Sequence, residues 1–130
     1  MEPKQYVNEI NEVLSQAEGI HYAFLFGSAL QRLLPESDID ILVGGDLNFE
    51  LQTNLALELA LRLKRDVDLV PAKEAPYELI LKALSQGHPI FVTRKESLRQ
   101  DYFRSYFLYD TNTSLRKIRL ERVKRVWGHD

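Results

Sequence analysis

The chain contains no cysteine among its 130 residues. That excludes a disulfide framework, a thiolate nucleophile and any cysteine-based zinc site, and it suits a reducing cytosol. It also lacks an apolar run of about 18 residues, the length needed for a membrane-spanning helix. The opening segment "MEPKQYVNEINEVL" is polar where a secretory leader needs an apolar centre. Charge of one sign is scarce too, because 17 basic and 19 acidic residues leave a net charge of -2. A surface committed as a whole to nucleic acid or to anionic lipid is therefore excluded. There is no internal repeat and no low-complexity tract. The three histidines, His21, His88 and His129, are too scattered for a metal cluster. A cytoplasmic protein of one compact domain, with 45% hydrophobic residues to build a core, is the expectation.

What is present is an interleaving of strand and helix patterns. "PKQYVNEINEVLSQAEG" spaces Tyr6, Val7, Ile10, Val13 and Leu14 as one face of a helix. "IHYAFLF" (20–26) predicts a buried strand ended by Gly27, and "SALQRLL" a short helix starting at Ser28. "SDIDILV" predicts a second strand, ended by the turn chemistry of "GGD". A leucine-rich helix over "NFELQTNLALELALRLK", a strand over "RDVDLVP", a helix over "PYELILKALSQG" and a strand over "HPIFVT" follow. Two helix-patterned stretches, "ESLRQDYFRSYFLYD" and "SLRKIRLERVKRVW", complete the chain. The polar "TNTS" between them either starts a new helix, capped by Ser114, or is passed through by one long helix. The architecture expected is α/β (α+β): a small mixed sheet with flanking helices, mainly on one face. Residues 1–93 form the core and residues 94–130 a helical C-terminal extension of the same domain.

The second strand carries the chemistry. Strand residues alternate between faces, so Asp38, Asp40 and Leu42 share one side while Ile39, Ile41 and Val43 share the other. Two aspartates on neighbouring same-face positions repel each other unless a cation lies between them, and Asp is a poor strand former. In "DVDLV" the device recurs, with Asp66 and Asp68 on one face. Four carboxylates near one sheet face call for a hard divalent cation, and Mg²⁺ fits because it shares its shell with phosphate oxygens. Gly27-Ser28 supplies a place for the phosphates: free backbone N–H groups at a helix start, a glycine allowing close approach, and a hydroxyl.

In the order strand, Gly-Ser, short helix, "SDIDILV" strand, helix, "DVDLV" strand, the chain resembles the minimal nucleotidyltransferases of the DNA polymerase β-like superfamily over residues 1 to about 93. Within it, the size of the chain is similar to that of the MntA-type (MNT) antitoxins of HEPN/MNT (HepT/MntA) toxin–antitoxin systems. The resemblance implies an adenylyltransferase (AMPylation) activity that moves AMP from ATP to a tyrosine of a cognate HEPN ribonuclease toxin and neutralises it. It implies that Gly27 and Ser28 hold the β,γ-phosphates and that Asp38 and Asp40 bind two Mg²⁺ ions. Asp68 is the best match to the family's third carboxylate, ligand and base in one, with Asp66 in reserve. Nine residues separate Ser28 from Asp38, one fewer than in many relatives, and Gln31 stands where those carry an arginine. The resemblance then implies Arg32, one step later, for that phosphate-binding role. Transfer to a small hydroxyl compound and neutralisation by binding alone are the alternatives.

"LRKIRLERVKRVW" holds six basic residues between 116 and 125 against Glu121 alone. It reads as a solvated helix or as a docking helix for an acidic partner such as the toxin, in a hetero-oligomer. A short patch on a net negative chain speaks against direct nucleic-acid binding.

Overall fold

A computed structural model describes residues 3–27 and 38–127, with side chains placed for 5–27 and 38–112. The expected short helix at Ser28 lies outside these residues. The described elements run α1 (Pro3–Leu14), β1 (Ile20–Phe26), β2 (Ile39–Gly45), α2 (Phe49–Leu63), β3 (Val67–Pro71), α3 (Tyr77–Gln86), β4 (His88–Val92) and α4 (Lys95–Trp127). The strands form one mixed sheet in the order β3-β2-β1-β4. β2 runs antiparallel to β1 and parallel to β3, and β4 runs antiparallel to β1. A parallel pair needs a long crossover, and α2 supplies it. Asn48 caps the start of α2 by accepting a 2.7 Å hydrogen bond from the Leu51 N–H, and Lys64, in the left-handed region at φ 55°, ends it.

One sheet face buries Ile39, Ile41 and Val43 against α1 and α2, where Ile10, Leu14 and Leu59 are fully enclosed. This is the isoleucine face expected from the alternation. The opposite face is covered as well: Tyr22, Phe24 and Leu42 pack against Ile80 and Ala83 of α3, with Leu98 of α4 beside them. Helices thus lie on both faces, not mainly on one. The physical reason is that the aspartate face turns apolar one step past Asp40, at Leu42, and that surface needs its own cover. Gly44 belongs to the same design, because a Cβ there would run into the Tyr22 ring.

The last 33-residue element is a single helix, about 50 Å long. "TNTS" does not break it: Thr, Asn and Ser each cost only a few tenths of a kcal/mol in a helix interior, and neither Gly nor Pro occurs between 95 and 127. Its first turns are anchored to the sheet. The Tyr22 hydroxyl donates to Asp101 Oδ2 at 2.7 Å, His21 Nδ1 meets the Ser97 hydroxyl at 2.9 Å, and Ser105 is buried. Farther along, Asn112 Nδ2 donates to the Tyr77 hydroxyl at 2.9 Å. Among the described residues no helix is long and apolar enough to cross a membrane.

Candidate active site

The parallel register of β2 and β3 sets Ile39 beside Val67, Asp40 beside Asp68 and Ile41 beside Leu69. Adjacent strands lie about 4.8 Å apart, so the two aspartate backbones are near neighbours with side chains on the same face. The pairing is pinned at both ends by backbone hydrogen bonds, from Ile39 N–H to the Asp66 carbonyl at 2.9 Å and from Ala72 N–H to the Val43 carbonyl at 2.8 Å. Asp38 stands exposed just before β2, and Asp68 is exposed on β3.

Asp40 is half-buried, and that burial holds its carboxyl above the usual carboxylate value. Repulsion from Asp68 and then from Asp38 pushes in the same direction. Asp68 and Asp38 thus both act on Asp40, whereas Asp66 contributes its carbonyl to the sheet and is not among the charges that perturb Asp40. As the side chains stand, no group of three His, Cys, Asp or Glu among the described residues could hold a metal ion. The donor chemistry still suits Mg²⁺: oxygen ligands only, neighbouring like charges that a divalent cation would relieve, and no soft ligand.

Gly27 completes the described part. In the β1–β2 pairing Phe26 lies opposite Asp40, so the chain leaves β1 directly beside that carboxylate. Gly27 has φ +85°, and a Cβ placed on it would stand 2.5 Å from Asp40 Oδ2. The backbone conformation favours glycine, and any side chain there would displace the Asp40 carboxylate. This contact has no signature in sequence spacing, since it joins residues that meet only through strand pairing. Ser28 and Arg32 lie outside the described residues. Tyr22 and Asp101, which fix α4 to the sheet, were not singled out by the sequence; burial, and then the Asp101 carboxylate, raise the Tyr22 phenol far above its ordinary value of 10.0.

The polymerase beta, nucleotidyltransferase family model matches residues 8–96, more than half of the chain. No match is found among curated protein sequences. Among solved structures, similarity extends to a chain of an MntA–HepT toxin–antitoxin variant bearing two Asp-to-Glu exchanges, at 26% identity and TM-score 0.72, covering 90% of this chain and 97% of that one. A second is the Shewanella oneidensis complex of a tri-AMPylated HEPN toxin with its MNT antitoxin, at 25% identity and TM-score 0.71, covering 92% and 97%. A third, a toxin–antitoxin complex with AMP-PNP, shares the fold at 24% identity and TM-score 0.69, covering 94% and 98%.

Proposed function

This chain belongs to the polymerase beta nucleotidyltransferase family, and from that premise we propose that it is an antitoxin which transfers AMP from ATP to a tyrosine of a cognate HEPN toxin. The observation that carries the reading is the meeting of three chain segments at Asp40: Gly27 against its carboxylate, Asp68 beside it in register, and Asp38 near enough to shift its protonation. A phosphate grip next to a carboxylate trio is what phosphoryl chemistry on a nucleotide requires. Support for the acceptor comes from the relatives, one of which is an antitoxin in complex with a toxin carrying three AMP groups. The paired Asp-to-Glu exchanges in the other fall two positions apart, the spacing of Asp38 and Asp40.

Asp38, Asp40 and Asp68 would hold two Mg²⁺ ions. When bound, such ions lower the pKa of the attacking hydroxyl and stabilise the departing pyrophosphate. The backbone at Gly27 and the Ser28 hydroxyl take the β,γ-phosphates, with Arg32 as the cationic partner, and orient the α-phosphorus toward the carboxylates. Asp68, more exposed than Asp40, accepts the proton of the tyrosine hydroxyl. The phenolic oxygen forms the new P–O bond, the α–β phosphoanhydride breaks, and pyrophosphate leaves with the electron pair.

The test is co-expression with a cognate HEPN toxin, followed by intact-mass measurement of that partner. Mass gains of whole AMP units are expected with the wild type and none with Asp40→Asn, which also loses protection. Full protection by Asp40→Asn, with no AMP on the partner, would overturn transfer in favour of neutralisation by binding.

A further inference from the structure

The sheet face that carries Asp40 continues into an apolar groove. Residues directly opposite on antiparallel strands share a face, so Phe26 opposite Asp40 and Phe24 opposite Leu42 align on one side of the sheet. Phe24 floors a groove of about 410 Å³ whose walls come from three further elements: Leu84 of α3, Val92 of β4, and Leu98 and Phe103 of α4. Only two strand positions separate its floor from the residue facing Asp40, about 7 Å along β1. Its rim is cationic. Lys95 and Arg99 line it and no acid does. Lys95 makes no ion pair among the described residues, and Arg99 is held only by Glu96 at 3.9 Å, both largely exposed. Beyond the groove Tyr106 and Phe107 of α4 remain 53% and 69% exposed, extending the apolar surface.

We propose that this groove is the acceptor channel: it seats the segment of the protein acceptor that bears the target tyrosine, and that segment pairs apolar residues with aspartate or glutamate. The assignment rests on the reading above that the acceptor is a protein. Charge complementarity selects the occupant, since Lys95, which makes no ion pair among the described residues, and Arg99, whose exposed pair with Glu96 is long, favour a negatively charged chain, and the hydrocarbon floor favours side chains over solvent. A nucleobase is a poorer fit. Reading its edge takes several convergent donors and acceptors, and the groove offers the Tyr102 phenol and two cations. The register fixes the spacing as well, because an extended acceptor advances about 3.3 Å per residue. Val92 pairs with Tyr22, four strand positions or about 13 Å from Phe26, and Lys95 and Arg99 follow it in the chain. Apolar side chains for the Phe24 floor should therefore lie about two residues from the modified tyrosine, and the acidic ones about four or more.

The experiment compares wild type, Lys95→Glu/Arg99→Glu and Asp40→Asn, each with the full-length HEPN acceptor. Charge reversal should raise the acceptor KM about tenfold or more, leave the ATP KM unchanged, and flatten the salt dependence of the acceptor KM. Reversing the acidic residues that flank the acceptor tyrosine at that spacing to lysine should restore the KM of the reversed variant. An unchanged acceptor KM, or a rise confined to the ATP KM as for a nucleotide subsite, overturns the groove assignment while loss of transfer in Asp40→Asn leaves the enzymatic reading standing. Transfer that survives Asp40→Asn overturns both. Lys95→Ala/Arg99→Ala, a milder exchange at exposed positions, should give a smaller shift of the same sign; no shift in a folded protein counts against the groove.

Discussion

Gly27→Ala tests whether the turn after β1 is shaped for its glycine. Two costs follow from the geometry. A non-glycine residue held at φ +85° stores roughly 1–3 kcal/mol of backbone strain. The new methyl would also stand 2.5 Å from Asp40 Oδ2 and 3.3 Å from its Cγ, so the carboxylate must leave its rotamer, at roughly 0.5–1.5 kcal/mol more. Together the loss is about 1.5–4.5 kcal/mol, which in a domain of this size lowers the melting temperature by roughly 5–16 °C. Activity should fall further than stability, since a displacement of about 1 Å in a reacting group can cost on the order of 100-fold in rate. Thermal melts and AMP transfer to the co-expressed partner read the two effects. Gly27→Asn separates them: asparagine tolerates the left-handed region, so much of the stability should return, but its Cβ still meets Asp40 and transfer should stay low. An alanine variant with wild-type melting and wild-type transfer would refute the reasoning, as would an asparagine variant that regains full activity.

Asp40→Asn should abolish transfer yet melt higher than wild type at neutral pH, because the folded protein holds this carboxyl above its ordinary value of 3.8. A raised carboxyl contributes its stability fully below 3.8 and loses it as pH climbs through the folded value, so the gap between variant and wild type should close toward acid; melting curves across that range check the sign. Tyr22→Phe removes a 2.7 Å hydrogen bond to a carboxylate and leaves Asp101 with Arg104 at 3.1 Å, a loss of about 1.5–3 kcal/mol by urea unfolding. The raised Tyr22 phenol gives wild type a stability that is present below 10.0 and lost as pH rises toward the folded value, so the difference between the two proteins should shrink in alkali. Asp68→Asn should reduce transfer by on the order of 100-fold or more while Asp66→Asn retains it; the reverse result would move the third carboxylate to Asp66.

How much of this was legible in the sequence depends on the range of the interaction. The alternation of "SDIDILV" and "DVDLV" located both aspartate strands and the isoleucine face, because a period of two is set by the backbone itself. Their adjacency was only a condition of the argument and their parallel register had no sequence signal, as nothing local determines which strands pair. The cover on the second face was missed because Leu42 looked like a continuation of the aspartate side, and its partners Ile80 and Ala83 lie some forty residues away. The continuity of α4 through "TNTS" was left open for a different reason: propensities there are nearly neutral, and a neutral sequence follows whatever flanks it. Contacts across the fold, such as Tyr22 with Asp101 or Gly27 with Asp40, leave no pattern to read.

The pinned β2–β3 register carries one more consequence. Side chains on a strand obey parity, so a slip of β3 by one residue against β2 would put a Val67 or Leu69 side chain where the Asp68 carboxylate stands and turn the acid toward the core. The buried Leu69 opposes that slip, so an added residue in the connection before Val67 is taken up by the loop. The core that seats Leu69 is therefore also what keeps Asp68 beside Asp40.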